Sequence, residues 1–331
     1  MRPEGTLVLK RSEIAALLGL DECMAAVEQA FRLYAEGKTA PPGILGLPAG
    51  DGGFHLKAAL LDTGRPYFAA KTNANFPANM KRFGLPLIQG VIVLCDGESG
   101  YPLALMDSME ITIIRTGAAT GVAAKYLARQ ESRVATICGC GNQGRISLKA
   151  LVRARPLTHA YAWDIEQEQA RRFAVELSEE LGIAVEAVQD LGGAVGFSDI
   201  CVTCTPSKRP FLQQQHVRPG TFIAAVGADG EDKQEIDSEL LSSNKVVVDL
   251  LDQCASIGEL HHALARGLIS KAYVHAELGE IIVGKKAGRA SGDETIIFDS
   301  TGTALQDVAA AAIVYERAVK SGAGTVLNLA A

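Results

Sequence analysis

The chain has 331 residues, 48% hydrophobic and 21% charged, and its 32 Lys and Arg against 38 Asp and Glu give a net charge of −6. That length predicts about two domains with proper cores; the apolar content excludes disorder, aperiodic Gly and Pro exclude collagen, and the acidic balance offers nucleic acid no footing. No uncharged apolar run reaches the ~18–20 residues of a membrane span, and Met1-Arg2-Pro3-Glu4-Gly5 lacks a signal-peptide core, so a cytoplasmic protein with no membrane partner is expected.

In chain order, an amphipathic helix is predicted over Asp21–Glu36, with Met24, Val27, Ala30, Phe31 and Tyr34 on one side. A Pro/Gly-rich stretch, Pro41–Gly53, precedes strand-like runs at Phe54–Leu61, Tyr67–Thr72, Gln89–Cys95 and Pro102–Asp107, which read as a mostly antiparallel sheet. From Val134 the pattern alternates β-branched runs with helical periods, the mark of a parallel α/β sheet. Strands are expected at Val134–Cys138, Ala160–Trp163, Ile183–Val188, Ile200–Cys204, Phe222–Val226, Val246–Leu250 and Thr295–Phe298. Helices are expected at Gly144–Ala154, Glu166–Leu181 and Ile257–Ala265. The last helix, Thr303–Lys320, is apolar along Ala309–Val314, stops at Gly322 and is expected to pack back on the first domain.

Gly139-Cys140-Gly141-Asn142-Gln143-Gly144 follows a strand and opens a helix, and Asp164 ends the next strand 20 residues past Gly144. This is the dinucleotide-binding arrangement: one glycine for the turn, one for close approach of pyrophosphate, one for helix-on-strand packing. The helix N-terminus offers N–H donors to phosphate. A carboxylate at Asp164 accepts from ribose hydroxyls and repels a 2′-phosphate, so NAD is expected over NADP. Without the cofactor, the same glycines would be an ordinary strand–helix turn.

Seven cysteines, an odd number, fit reduced thiols. Cys138, Cys140, Cys201 and Cys204 lie in or beside strands, where Cys is usually a small hydrophobe, so no metal site is expected. Arg115 sits in the apolar stretch Ile111–Ala124 and needs a partner: either a structural carboxylate or, bidentately, a substrate carboxylate. Lys71 follows Tyr67-Phe68-Ala69-Ala70, so its ammonium is either desolvated, with a lowered pKa suited to proton transfer, or snorkelled to water. Asp229 lies in a Gly-rich loop after a strand and is either a turn residue or a catalytic carboxylate that holds a substrate ammonium or acts as a base. Among the histidines only His55, in Phe54-His55-Leu56-Lys57, sits where a substrate sheet is expected.

Together, Lys71, Gly84-Leu85-Pro86, Pro102–Asp107, Arg115–Ala119, Lys125–Arg129, Gly139–Gln143, Thr203–Ser207, Gly227–Asp237 and Phe298–Gly302 resemble the ornithine cyclodeaminase/mu-crystallin family over nearly the whole chain. The segments Gly227–Asp237 and Asp299–Gly302 look most like its alanine dehydrogenase branch. The resemblance implies a Rossmann-type NAD-binding domain at 118–302. A discontinuous α+β domain, 1–117 with 303–331, would bind substrate and dimerise through its sheet. It implies hydride transfer at the C–N bond of a small amino or imino acid, with Lys71 catalytic, Arg115 on the substrate carboxylate and Asp229 on the amine. Thr116, Thr203, Thr205, Pro206, Val226, Gly227 and Ser300 would join the glycine loop at the cofactor. Cyclodeaminases carry Asp where this chain has Asp229, which keeps ornithine cyclodeamination open as an alternative. A non-enzymatic binding role, as in mu-crystallin-like relatives, sits poorly with Lys71 and Arg115 both present.

One departure stands out. Relatives place a Lys or Arg after the paired prolines, and here Pro41-Pro42 is followed by Gly43. Lys57, on the same strand face as His55, is expected either to supply the missing cation, to read a second polar group on the substrate, or to lie in solvent.

Overall fold

In the computed structural model, which describes residues 5–329, the chain forms two units, Met1–Arg115 with Thr303–Ala331, and Thr116–Gly302. Met1–Glu4, on which the signal-peptide reading partly rests, lie outside the described residues. The first unit begins β1 (Thr6–Leu9), α1 (Arg11–Leu17), α2 (Leu20–Ala35), β2 (Gly43–Ala49), β3 (Gly52–Asp62) and β4 (Pro66–Asn75). It continues with α3 (Asn79–Phe83), β5 (Ile88–Asp96), β6 (Pro102–Asp107) and α4 (Ser108–Leu127), inside which the chain passes into the second unit. The boundary thus follows Arg115 rather than residue 117.

The second unit runs β7 (Val134–Cys138), α5 (Asn142–Ala154), β8 (His159–Trp163), α6 (Gln167–Leu181), β9 (Ala184–Ala187), α7 (Leu191–Phe197) and β10 (Ile200–Thr203). After these come β11 (Lys208–Leu212), β12 (Phe222–Ala225), β13 (Gln234–Ile236), α8 (Ser238–Ser242), β14 (Lys245–Val248), α9 (Leu251–Ile257) and α10 (Glu259–Ala265). It closes with β15 (Ala276–Glu277), α11 (Leu278–Ile282) and β16 (Ile296–Asp299). The chain then returns to the first unit as α12 (Ala304–Ser321) and β17 (Thr325–Leu327).

The first unit is a seven-stranded sheet in the order β17-β1-β6-β5-β4-β3-β2, antiparallel except for β1 beside β6. Its inner face carries cross-strand rows such as Lys57–Lys71–Ile92–Met106 and Ala59–Ala69–Leu94–Ala104. Every residue of those two rows is buried. Apolar residues of α2, among them Val27, Ala30 and Phe31, are buried here too, each large one contributing ~1.5–3 kcal/mol. Residues 304–312 of α12 are buried without a break, and the run of alanines lets the helix lie close.

Among the elements not expected from the sequence are β2 and α4. The Pro/Gly-rich stretch contains β2, which pairs from Gly43↔Ala58 to Ala49↔Gly52. Lying at the sheet edge and exposed along most of its length, it has no inward–outward alternation to betray it, and Pro48 is tolerated there. The apolar stretch around Arg115 is the helix α4, buried over so much of its surface that no amphipathic period marks it.

The second unit is an eight-stranded parallel sheet in the order β15-β14-β16-β12-β10-β7-β8-β9, with β11 and β13 as a separate two-stranded ribbon. Its central strands β10, β12 and β16 are buried on both faces, as parallel strands covered by helices are. From β7 the chain builds outward through β8 and β9, and from β10 to the other side through β12, with the last strand, β16, between β12 and β14, so the order reverses between β7 and β10. That is where open α/β sheets bind ligands. The helix expected at Ile257–Ala265 is α10, which begins two residues later, past Gly258, and a separate helix, α9, ends just before it.

Candidate active site

Within the first unit, antiparallel pairing sets Lys57 opposite Lys71 on the face covered by α12. The turn after Thr303 starts α12 so that Gln306 and Asp307 enter the same buried layer. Asp307 Oδ2 lies 2.7 Å from Lys71 Nζ and Oδ1 lies 3.1 Å from Arg115 Nε. Arg115 Nη1 donates to Gln306 Oε1 at 2.9 Å. Lys57, Lys71, Arg115, Asp307 and Gln306 are each less than a tenth exposed.

Burial drives the titration of this cluster. It lowers the Lys71 ammonium to about 7; Asp307 pulls the value back up, while Arg115 and Lys57 push it further down. Burial alone would raise Asp307, but Lys71 and Arg115 outweigh it and hold the carboxyl below its ordinary range. A buried lysine that titrates near neutrality can exchange a proton with a bound amine, imine or water. Of the alternatives posed for Lys57, the solvent position does not survive: the side chain is buried and pairs across the strands with Lys71. Gly43, however, pairs with Ala58, so a side chain there would share the opposite face of the sheet from Lys57 and Lys71. The register therefore gives no ground for treating Lys57 as a substitute for a cation at Gly43. His55, half-buried, shares the Lys57 face and pairs with Asn73.

Within the second unit, the glycine loop joins β7 to α5. Gly139 has φ +105°, a conformation L side chains rarely adopt, and a Cβ on Gly144 would sit 2.1 Å from the Gly139 carbonyl oxygen. A Cβ on Gly141 would meet no protein atom, so the space over that residue is open. Gly141 is the N-cap of α5, and the helix starts at Asn142, two residues earlier than expected. Gly144 thus lies inside the first turn, and the N–H groups of Asn142 and Gln143 stand at the helix mouth. Asp164, just past β8, accepts from Cys140 N–H at 2.8 Å and from Glu166 N–H at 3.0 Å. An open cradle, helix N–H donors and a carboxylate against the loop are the donor set that fits a dinucleotide.

The other expected cofactor residues gather at the ends of neighbouring strands. Thr203 ends β10, and Thr205 and Pro206 follow it. Val226 and Gly227 follow β12. Ser300 follows β16 and turns its hydroxyl to Asp249 Oδ2 at 3.2 Å. Thr116 is buried in α4, its carbonyl accepting from Thr120 Oγ1. Asp229 is exposed in the loop after β12 and pairs with Lys233 Nζ at 2.5 Å. Among the described residues no group of three or more His, Cys, Asp and Glu could hold a metal ion.

Sequence reasoning passed over Asp307 and Gln306. The signal was there: Asp307 is the one acid in Ala304–Tyr315, and a buried acid requires partners. It also gave no role to four buried carboxylates near the strand ends, Glu235, Asp249, Glu259 and Asp299.

Comparison with known proteins follows the same lines. The family model described as ornithine cyclodeaminase/mu-crystallin family matches residues 4–322. An alanine dehydrogenase of Archaeoglobus fulgidus is 42% identical over 323 residues, covering 98% of each chain. The solved structure of an archaeal alanine dehydrogenase dimer with bound NAD superposes with TM-score 0.93 at 42% identity, covering 98% of this chain and 99% of that one. The Delta(1)-pyrroline-2-carboxylate reductase of Thermococcus litoralis, in complex with NADH and L-proline, gives TM-score 0.92 at 36% identity over 97% of this chain and 100% of that one.

Proposed function

We propose an activity for this chain, which belongs to the ornithine cyclodeaminase/mu-crystallin family: it is an NAD(H)-dependent oxidoreductase acting on the C–N bond of a small amino or imino acid. The observation that carries the reading is the buried Lys71–Asp307–Arg115 cluster, with a lysine poised to titrate near pH 7. The dehydrogenase and reductase relatives support it, as does the dinucleotide cradle. NAD, when bound, supplies the two-electron acceptor or donor. Asp164 beside the glycine loop disfavours a 2′-phosphate, so NADP is the poorer cofactor.

Arg115 binds the substrate carboxylate, and Asp307 and Gln306 orient its guanidinium. In the oxidative direction the Cα–H bond breaks with its electron pair leaving as hydride, and neutral Lys71 takes the proton from the substrate nitrogen. In the reductive direction Lys71 in its ammonium form returns that proton. Lys57 and His55 face the substrate from the same side of the sheet as Lys71, and Asp229 answers the substrate ammonium. The active species is a homodimer in the cytoplasm; seven cysteines outside any disulfide fit a reducing compartment.

Lys71→Ala tests the assignment. Turnover falls ~10²–10⁴-fold, while NADH affinity measured by fluorescence titration stays near wild type. A variant that keeps most of its turnover contradicts the role of Lys71.

A further inference from the structure

We propose that Glu235 is a positioning residue for the nicotinamide half of the cofactor site, acting through the two loops it joins. The inference rests on the NAD reading above and adds a residue that reading does not use.

The topology says which half is concerned. Asp164 and β8 lie on one side of the glycine loop, so the adenosine half of a dinucleotide runs that way. The nicotinamide half then runs over β10 and β12. The loops that leave those two strands are held by one side chain, Glu235 on β13. Its Oε1 accepts from Thr205 N–H at 2.5 Å and its Oε2 from Gly227 N–H at 3.1 Å. The fit is close: a Cβ on Gly227 would sit 2.3 Å from Glu235 Oε2 and 2.6 Å from the Thr205 carbonyl oxygen.

Glu235 is itself anchored. Glu259 accepts from Glu235 N–H at 2.7 Å and from Ile236 N–H at 3.2 Å. Asp299 accepts from Leu260 N–H at 2.9 Å, and Asp249 donates its own N–H to the Asp299 carbonyl. Asp249 Oδ2 then accepts from Gly302 N–H at 2.7 Å and from Ser300 Oγ. Four buried carboxylates, with one main-chain strand bond between Asp249 and Asp299, thus link the loop after β16 to the loops after β12 and β10. A scaffold built only for stability would favour apolar packing over four desolvated acids; carboxylates, unlike hydrocarbon, fix backbone N–H groups in direction.

Two acceptor oxygens require the ionised form. Protonation turns one oxygen into a donor facing an N–H and releases one loop. Burial raises Glu235 to about 7, against hydrogen bonds from the Thr205 N–H and hydroxyl, the Thr203 hydroxyl and the Gly227 N–H. Glu259, Lys233, Cys204 and Cys138 are ionisable groups that interact electrostatically with it, and Lys233 is already engaged by Asp229. Glu235 therefore holds both loops above about pH 7 and loosens them below it.

The test compares affinities for NADH and for ADP-ribose, which lacks the nicotinamide, at pH 6 and pH 8.5. In the wild type the ratio of the NADH Kd to the ADP-ribose Kd rises about tenfold on acidification, the size of one lost charge-assisted hydrogen bond. In Glu235→Gln, whose carboxamide turns an NH₂ toward one of the two N–H groups, the ratio is already raised about tenfold at pH 8.5 and is flat in pH. An unchanged wild-type ratio overturns the proposal, and so does a variant that matches the wild type. Should Glu235→Gln fail to fold, the wild-type profile alone decides. Failure of the wild type to bind either nucleotide refutes the NAD reading itself, an outcome distinct from binding both with a pH-independent ratio.

Discussion

Asp307 answers two cations with one carboxylate, and its removal separates two roles. Breaking a buried ion pair by deleting one partner costs about 3–5 kcal/mol, because the remaining charge stays desolvated. Asp307→Asn is therefore expected to lower unfolding free energy by about that amount in urea. It is also expected to shift catalysis, with a sign fixed by the electrostatics. Asp307 raises the proton affinity of Lys71, so its loss drives Lys71 below the wild-type value of about 7. Reductive turnover, which needs the ammonium, falls as pH rises through the Lys71 value, so the variant's falling limb in kcat/KM moves to lower pH. An unshifted limb would show that another group supplies the proton. Residue identity made part of this visible beforehand: Lys71 and Arg115 each stood in apolar surroundings and so demanded partners. The partner itself was hidden, since 236 positions separate Asp307 from Lys71 and nothing in linear spacing joins them.

Elements were legible wherever one face alone is buried or a strand is punctuated. Pro102–Asp107 and Val134–Cys138 are strands with the expected bounds, and α2 begins one residue early and ends one residue early. Strand β2 and helix α4 escaped for opposite reasons, one too exposed and the other too buried to show a period. Helix α12 was legible as a helix, yet its function lies in a packing that composition only hints at. Because Ala309–Ala312 are buried in succession, the helix lies as close to its neighbours as small side chains permit. Ala310→Leu is expected to destabilise the protein by ~1–3 kcal/mol through overpacking and to displace Asp307, three residues back on the same helix. Thermal unfolding together with the Lys71 pH limb reads both effects. A variant with wild-type stability would mean that α12 has room the packing does not show.

At the scale of the whole molecule, the outer face of the seven-stranded sheet is the feature that isolated units leave unsatisfied. Cross-strand register puts Leu45, Leu47, Phe54, Leu60, Val91 and Leu105 on that face, and each is more than a third exposed. Monomeric proteins rarely leave so many neighbouring apolar side chains in water. Together with the dimeric alanine dehydrogenase relative, this face supports the proposed homodimer. Light scattering is expected to give a dimer for the wild type and a monomer for Val91→Glu, whose charge would be buried on a self-complementary surface. A wild-type monomer at micromolar concentration would contradict the assignment. No helix among the described residues is long and apolar enough to cross a membrane.

Net redox chemistry at a C–N bond shows itself in stoichiometry. Purified protein with excess NAD is given L-alanine, L-proline and L-ornithine in turn, and NADH formed, ammonia released and amino acid consumed are counted together. One NADH is expected for each molecule of substrate consumed, with ammonia equal to NADH if the imine is hydrolysed and absent if L-proline gives a cyclic imine. Consumption of L-ornithine with ammonia release and no accumulated NADH would contradict it, and would make this chain a cyclodeaminase.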